Sequence, residues 1–171
     1  MLQIYCGNGK GKTTASLGLA LRGAGSQMKV HIIQFMKGNE SSEWHALQFV
    51  PNITIQRCNK NYGFTADMTL QDKIEITQCH NDLLQKAETL LQTHQVDMLI
   101  LDEFNNAYEY SLLDRKFADS MIFNRPKDIE LILTGRNANP KFLAIADYIS
   151  EITAIRHPFQ KGIKARKGIE F

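Results

Sequence analysis

Nothing in this chain approaches the run of about 18 apolar residues that a membrane-spanning helix requires, so no membrane partner is expected. The 171 residues include three cysteines, Cys6, Cys58 and Cys79. The number is odd and no C-x-x-C occurs, so free thiols in a reducing, cytoplasmic setting are the expectation. The five histidines, His31, His45, His80, His94 and His157, show no ligand spacing such as H-x-x-x-H, which argues against protein-bound zinc or iron. A glycine cluster begins at Gly7 and leaves no apolar stretch before it for a secretory signal. Repeats, low-complexity segments and linkers are also missing. The net charge of +2 gives no general reason to expect nucleic acid or an anionic membrane as a partner.

What remains is 43% hydrophobic and 22% charged, the composition of a soluble globular protein. A single domain over residues 1–171 is expected, long enough to bury about two-thirds of its unfolded surface. Short apolar runs alternate with helical patterns along it. "LQIYC", "KVHIIQF", "NITIQRC", "VDMLILDEF", "IELILTGR" and "ISEITAIR" read as strands. Leu17, Ala20, Leu21 and Ala24 recur at helical spacing, with Gly25 as a stop. Leu70, Ile74, Leu83, Ala87, Leu90 and Leu91 mark one face of a long helix running to about Gln95. Further helices are expected over residues 114–124 and in "NPKFLAIADY". Strands apolar on both faces, separated by helices, predict an α/β fold with a mainly parallel sheet covered by helices.

The stretch "YCGNGKGKTTAS" lies where the first strand meets the first helix. A strand, a glycine-rich turn and a helix are the setting of a phosphate-binding loop. There backbone N–H groups converge on phosphate oxygens and the helix N-terminus adds positive potential. Asn8, Gly9, Lys10, Gly11, Lys12, Thr13 and Thr14 are therefore candidate nucleotide contacts. Lys12 would reach phosphates, and the Thr13 hydroxyl would ligate Mg²⁺. The consensus G-x-x-x-x-G-K-[ST] is broken, because Cys6 stands where its first glycine belongs.

Asp102 and Glu103 end the strand "MLILDE", and ligands of such sheets bind at the carboxyl ends of strands. Either carboxylate could serve Mg²⁺, directly or through water, while Asp102 as a helix N-cap is the structural alternative. Arg136, at the end of "LTGR", is placed either to meet a triphosphate or to form a surface ion pair. The tail from Arg156 to Lys167 is basic but sparse in aromatics, so nucleic acid is not expected. A solvated tail and one ordered at the site both remain open, and His157 is a possible ligand contact.

Four segments, "GNGKGKTTASLGLALR", "QFMKG", "LILDEF" and the ending "LTGRNANPKFLAIADYISEITAIRHPFQKGIKARKGIEF", together resemble the P-loop type of ATP:corrinoid adenosyltransferase. The resemblance runs from about Ile4 to Phe171 and implies a P-loop NTPase, RecA-like architecture. It implies transfer of the 5′-deoxyadenosyl group of ATP to Co(I) of a corrinoid, with release of triphosphate and with Mg²⁺ present. That family lacks the first loop glycine, usually carrying Thr there, and binds ATP in an orientation reversed from ordinary P-loop enzymes. Its G-F-T-W loop, which excludes the lower cobalt ligand, matches "GFTA" here. Phe64 matches the aromatic and Ala66 stands in place of the Trp, so the wedge is smaller, differently built, or supplied by Tyr62 or Met68. Lys12, Thr13 and Phe64 become the catalytic candidates.

The resemblance also implies a flavodoxin-like reductant and a homodimer. The N-terminal lid of some members is absent or replaced, since the first strand starts at about Leu2. Two other readings stay open on the residues: a corrinoid- and ATP-binding trafficking or sensing module without turnover, and an ordinary P-loop phosphotransferase.

Overall fold

A computed structural model describes residues 1–38, 41–63 and 65–169. Six strands form one parallel sheet: β1 (Leu2–Cys6), β2 (Val30–Gln34), β3 (Ile53–Arg57), β4 (Met98–Asp102), β5 (Glu130–Thr134) and β6 (Tyr148–Glu151). Their order is β3-β2-β4-β5-β1-β6, with every pair parallel. Parallel neighbours need crossovers, and the connecting helices are α1 (Lys12–Gly25), α2 (Ser42–Leu47), α3 (Leu70–Gln92), α4 (Phe104–Glu109), α5 (Arg115–Phe123) and α6 (Pro140–Leu143).

The period of two along each strand sorts the core into two layers. Leu99, Leu101, Leu131, Leu133 and Ile33 turn to the side covered by α3 to α6, where Phe104, Leu84 and Phe142 meet them. Met98, Ile100, Ile132, Val30 and Ile32 turn to the α1 side, against Leu17, Ala20 and Ala24. Both faces of β2 and β4 are buried, as continuous apolar runs require. The edge strand β6 is exposed along its length.

Three expectations are corrected. Leu70 and Ile74 are 77% and 57% exposed, and α3 instead buries Ile76, His80, Leu83, Leu84, Ala87, Leu90 and Leu91. A helix of 23 residues runs to about 35 Å at 1.5 Å per residue, twice the length of a five-residue strand, so its first turns overhang the sheet. Leu21 is 49% exposed because it lies on the flank of α1 that borders an open groove. Cys58 and Cys79 are not free thiols but form a disulfide, with Cα atoms 6.1 Å apart. Packing of α3 over the end of β3 brings them together, a proximity that a cysteine count does not reveal. Cys6 is the free cysteine.

No helix among the described residues is long and apolar enough to cross a membrane. Phe64 lies outside the described residues. Its neighbours Thr65–Asp67 form a short 3-10 turn in which Ala66 is exposed. Met68 is buried with Ile76 and Leu112, and Tyr62 packs against that cluster.

Candidate functional site

The turn between β1 and α1 is shaped by its own backbone. Gly7 and Gly11 have φ of 102° and 121°, values that favour glycine. Gly9 N–H donates to Ile152 O at 2.7 Å, and Gly7 N–H to Arg136 O at 2.8 Å. A Cβ at Gly9 would lie 2.7 Å from Ile152 O, so the close approach of the chain after β6 demands glycine there. Asn8 Oδ1 accepts from Ala154 N–H at 2.9 Å, which fixes the tip of the loop. Helix α1 opens without a side-chain cap or an acidic residue in its first turn. Its free N–H groups therefore point into the turn with the positive end of the helix dipole.

A cavity of about 250 Å³ sits over this turn, lined by residues 8–14 with Glu103, Arg136, His157 and Ile169. Lys12 Nζ donates to Gly9 O at 2.7 Å, folded over the loop. Burial lowers the Lys12 pKa, an effect opposed by Glu103 nearby.

Behind Thr13 lies a carboxylate that accepts from four side chains. Asp102, fully buried, accepts from the Thr13 hydroxyl at 2.8 Å and the Thr134 hydroxyl at 2.7 Å on Oδ1. On Oδ2 it accepts from Lys37 Nζ at 2.8 Å and Gln34 Nε2 at 3.2 Å. Burial alone would raise its pKa. The Lys37 charge and the hydrogen bonds from Lys37, Thr134 and Thr13 outweigh that and hold it below the usual carboxylate value. The Lys37 pKa is pulled down by burial and raised further by Asp102, for a net increase. These donors come from the carboxyl ends of β2 and β5, the turn after β2 and α1, which the parallel sheet brings to Asp102 at the end of β4.

Glu103 differs from its neighbour. It lines the cavity, and burial and the Asp102 charge push its pKa up. Its φ of 59° is left-handed, and its N–H donates to Thr134 Oγ1 at 2.9 Å. Asn106 Nδ2 holds its Oε2, and Asn106 Oδ1 accepts from Arg136 N–H at 2.9 Å. Asp102 is not a helix N-cap: Glu103 occupies that position at α4, without a side-chain cap bond. From the tail, His157 and Ile169 line the cavity, while residues 160–169 are exposed.

The structure thus gathers Asn8 to Thr14, Asp102, Glu103 and Arg136 at one place. Sequence reasoning did not single out Lys37, Gln34, Thr134 or Ile169. The signal for Lys37, Gln34 and Thr134 was their position at the ends of apolar strands. That for Ile169 was its inclusion in the closing segment.

A parallel sheet with a glycine turn, an uncapped helix and strand-end carboxylates defines a nucleotide-binding P-loop protein. The family model described as "ATP:corrinoid adenosyltransferase BtuR/CobO/CobP" matches residues 1–171, and the chain belongs to that family. It is similar to the corrinoid adenosyltransferase of Pseudomonas aeruginosa, at 35% identity over 175 residues, covering 100% of this chain and 83% of that one. The corrinoid adenosyltransferase of Escherichia coli K12 is 33% identical over 174 residues, covering 98% and 84%. The "Corrinoid adenosyltransferase CobA" of Salmonella typhimurium is 32% identical with the same coverage.

Proposed function

We propose that this protein transfers the 5′-deoxyadenosyl group of ATP to the Co(I) centre of a corrinoid. The family match across residues 1–171 carries the reading, and a glycine turn beneath an open cavity supports it. The Co(I) electron pair attacks C5′, a cobalt–carbon bond forms, and the C5′–O5′ bond breaks. Cobalt becomes formally Co(III), and the displaced electron pair leaves on inorganic triphosphate. A metal nucleophile has no proton to lose, so no general base is needed. Glu103 is accordingly a positioning acid and not a base.

The chain's contribution is alignment and stabilisation of the leaving group. Lys12, Lys10, Arg136 and the N–H groups of the loop and of α1 face the triphosphate. Thr13 would hold Mg²⁺ bound to the phosphates, with Asp102 behind it and Glu103 beside it. The fit rests on Thr13 Oγ1, fixed at 2.8 Å from Asp102 while lining the cavity. Such an ion would supply charge to the departing triphosphate. Phe64 and the 59–69 loop are assigned to the corrinoid side by the resemblance.

A flavodoxin-like electron donor, a homodimer and a single domain over residues 1–171 belong to the same proposal. The exposed apolar Tyr148 and Ile149 on edge strand β6 offer surface for a second copy. The test is incubation with ATP, Mg²⁺ and a chemically reduced corrinoid in the dark. A light-sensitive alkylcorrinoid together with inorganic triphosphate is expected. ADP and phosphate alone, without that product, would overturn the assignment.

A further inference from the structure

Strand β2 keeps its ladder to β4 as far as Phe35, whose N–H donates to Asp102 O at 2.9 Å. At Met36 the chain leaves the sheet through a left-handed turn, with φ of 58°. Glycine adopts that conformation without strain, but methionine keeps it only where its surroundings enforce it. The enforcing contact comes from α3, where His80 Nε2 accepts from Met36 N–H at 3.1 Å. His80 is fully buried, and its ring stands edge-on to Phe35 with centroids 5.1 Å apart.

Both partners of the ring are fixed in kind. An amide N–H only donates and a carbonyl only accepts, so Nε2 is the acceptor and Nδ1–H the donor, to Leu112 O at 2.8 Å. His80 is therefore neutral and held in one tautomer. Its two nitrogens join the turn after β2 to residue 112, which packs with Met68 and Ile76.

What the turn carries gives this contact its consequence. Lys37, next along, places Nζ 2.8 Å from Asp102 Oδ2, and Asp102 in turn holds the Thr13 hydroxyl. Gly38 then meets the backbone of Lys60. Among the donors to Asp102, Gln34 and Thr134 stand on strands and Thr13 on α1, whereas Lys37 stands on the turn and takes its direction from Met36. We propose that His80 is a positioning residue of the nucleotide site: by holding Met36 in its left-handed turn it aims Lys37 at Asp102, and so fixes the Thr13 oxygen in the cavity wall. The inference rests on the ATP and Mg²⁺ reading above. His80, sealed in the core, acts only through the turn.

Two substitutions divide the bonds of the ring. In His80→Gln, Oε1 takes the place of Nε2 and still accepts from Met36, while the bond to Leu112 is lost. In His80→Asn, Nδ2 takes the place of Nδ1 and keeps Leu112, while Met36 is released. Each variant loses one buried hydrogen bond and the ring, so both should melt below the parent.

Calorimetric titration of the whole protein with ATP, with and without Mg²⁺ and without corrinoid, separates position from stability. His80→Asn should lose about tenfold in ATP affinity when Mg²⁺ is present, and stay within about twofold when it is absent. His80→Gln should stay within about threefold of the parent in both conditions. Backbone amide exchange at residues 36–38 should quicken in His80→Asn and not in His80→Gln. Adding His80→Asn to Lys37→Met should cost no more affinity than Lys37→Met alone, because both act on one chain of contacts. Equal losses in the two His80 variants would make the residue structural only and overturn the proposal, as would an unchanged affinity for ATP with Mg²⁺ in His80→Asn. Failure of the unaltered protein to bind ATP would remove the nucleotide reading and the proposal with it, whereas amide exchange checks the hold on Met36 without any ligand. Exchange unchanged in His80→Asn would overturn that hold.

Discussion

The Thr13 hydroxyl and Asp102 Oδ1, 89 residues apart in sequence, lie 2.8 Å apart, and the same oxygen accepts from Thr134. A buried carboxylate with four donors does not rotate freely, so it holds the Thr13 oxygen at one place in the cavity wall. Thr13→Val keeps the volume and removes the hydroxyl. It should lower kcat/KM for ATP by about 10²-fold, whereas Thr13→Ser should recover most of the loss. The readout is the rate of cobalt–carbon bond formation as Mg²⁺ is varied.

Gly38 packs against the 59–63 segment, which the proposed function assigns to the corrinoid. A Cβ there would lie 2.0 Å from Lys60 O, a backbone atom that cannot yield without moving residues 60 and 61. Gly38→Ala should therefore shift the 59–63 segment while leaving the glycine turn intact. The expected outcome is ATP affinity within about threefold of the parent and a much larger loss of adenosyl transfer. Equal losses in both would show that the contact is not local.

His80 is fully buried on α3 and holds two other segments. Its Nδ1 donates to Leu112 O at 2.8 Å, and Met36 N–H donates to its Nε2 at 3.1 Å. Burial lowers its pKa to about 4. The folded state thus keeps it neutral where the unfolded chain takes a proton, and stability is lost as pH falls from about 6.5 through about 4. The loss attributable to His80 is about 3 kcal/mol over that window. Thermal unfolding across pH 4 to 7 should fall less steeply in His80→Gln than in the parent, with His31 supplying a second, similar contribution.

The Cys58–Cys79 disulfide closes a loop with a sequence separation of 21 residues that contains the whole 59–69 segment. By loop-closure entropy it stabilises the fold by about 3 kcal/mol. Thiol titration of the unfolded, unreduced protein should find Cys6 alone, and all three cysteines should react after reduction. The reduced protein should melt several degrees lower. Three reactive thiols before reduction would remove the bridge.

Strands β2, β4 and β5 were legible because each is a short apolar run, and the sheet's parallel character followed from burial on both faces of β2 and β4; exposed β6 spans only Tyr148–Glu151, a shorter strand than "ISEITAIR" suggests. The phosphate turn was legible from Gly7, Gly9 and Gly11 in their strand–helix setting. Helices α2 and α4 were not, since six residues are too few to show a helical period. Leu21, Leu70 and Ile74 carry the right spacing, but spacing does not say where a helix outruns the sheet beneath it. Lys37, Gln34 and Thr134 gain their roles from strand ends that meet only in three dimensions.

The contacts of Gly7 and Gly9 with Arg136 and Ile152 set an order on biosynthesis. The nucleotide turn is made first, yet its shape is completed by segments made some 130 to 145 residues later. A nascent chain that has not reached β6 lacks the surface against which the turn closes. Nucleotide affinity should therefore arise only once β6 has joined the sheet.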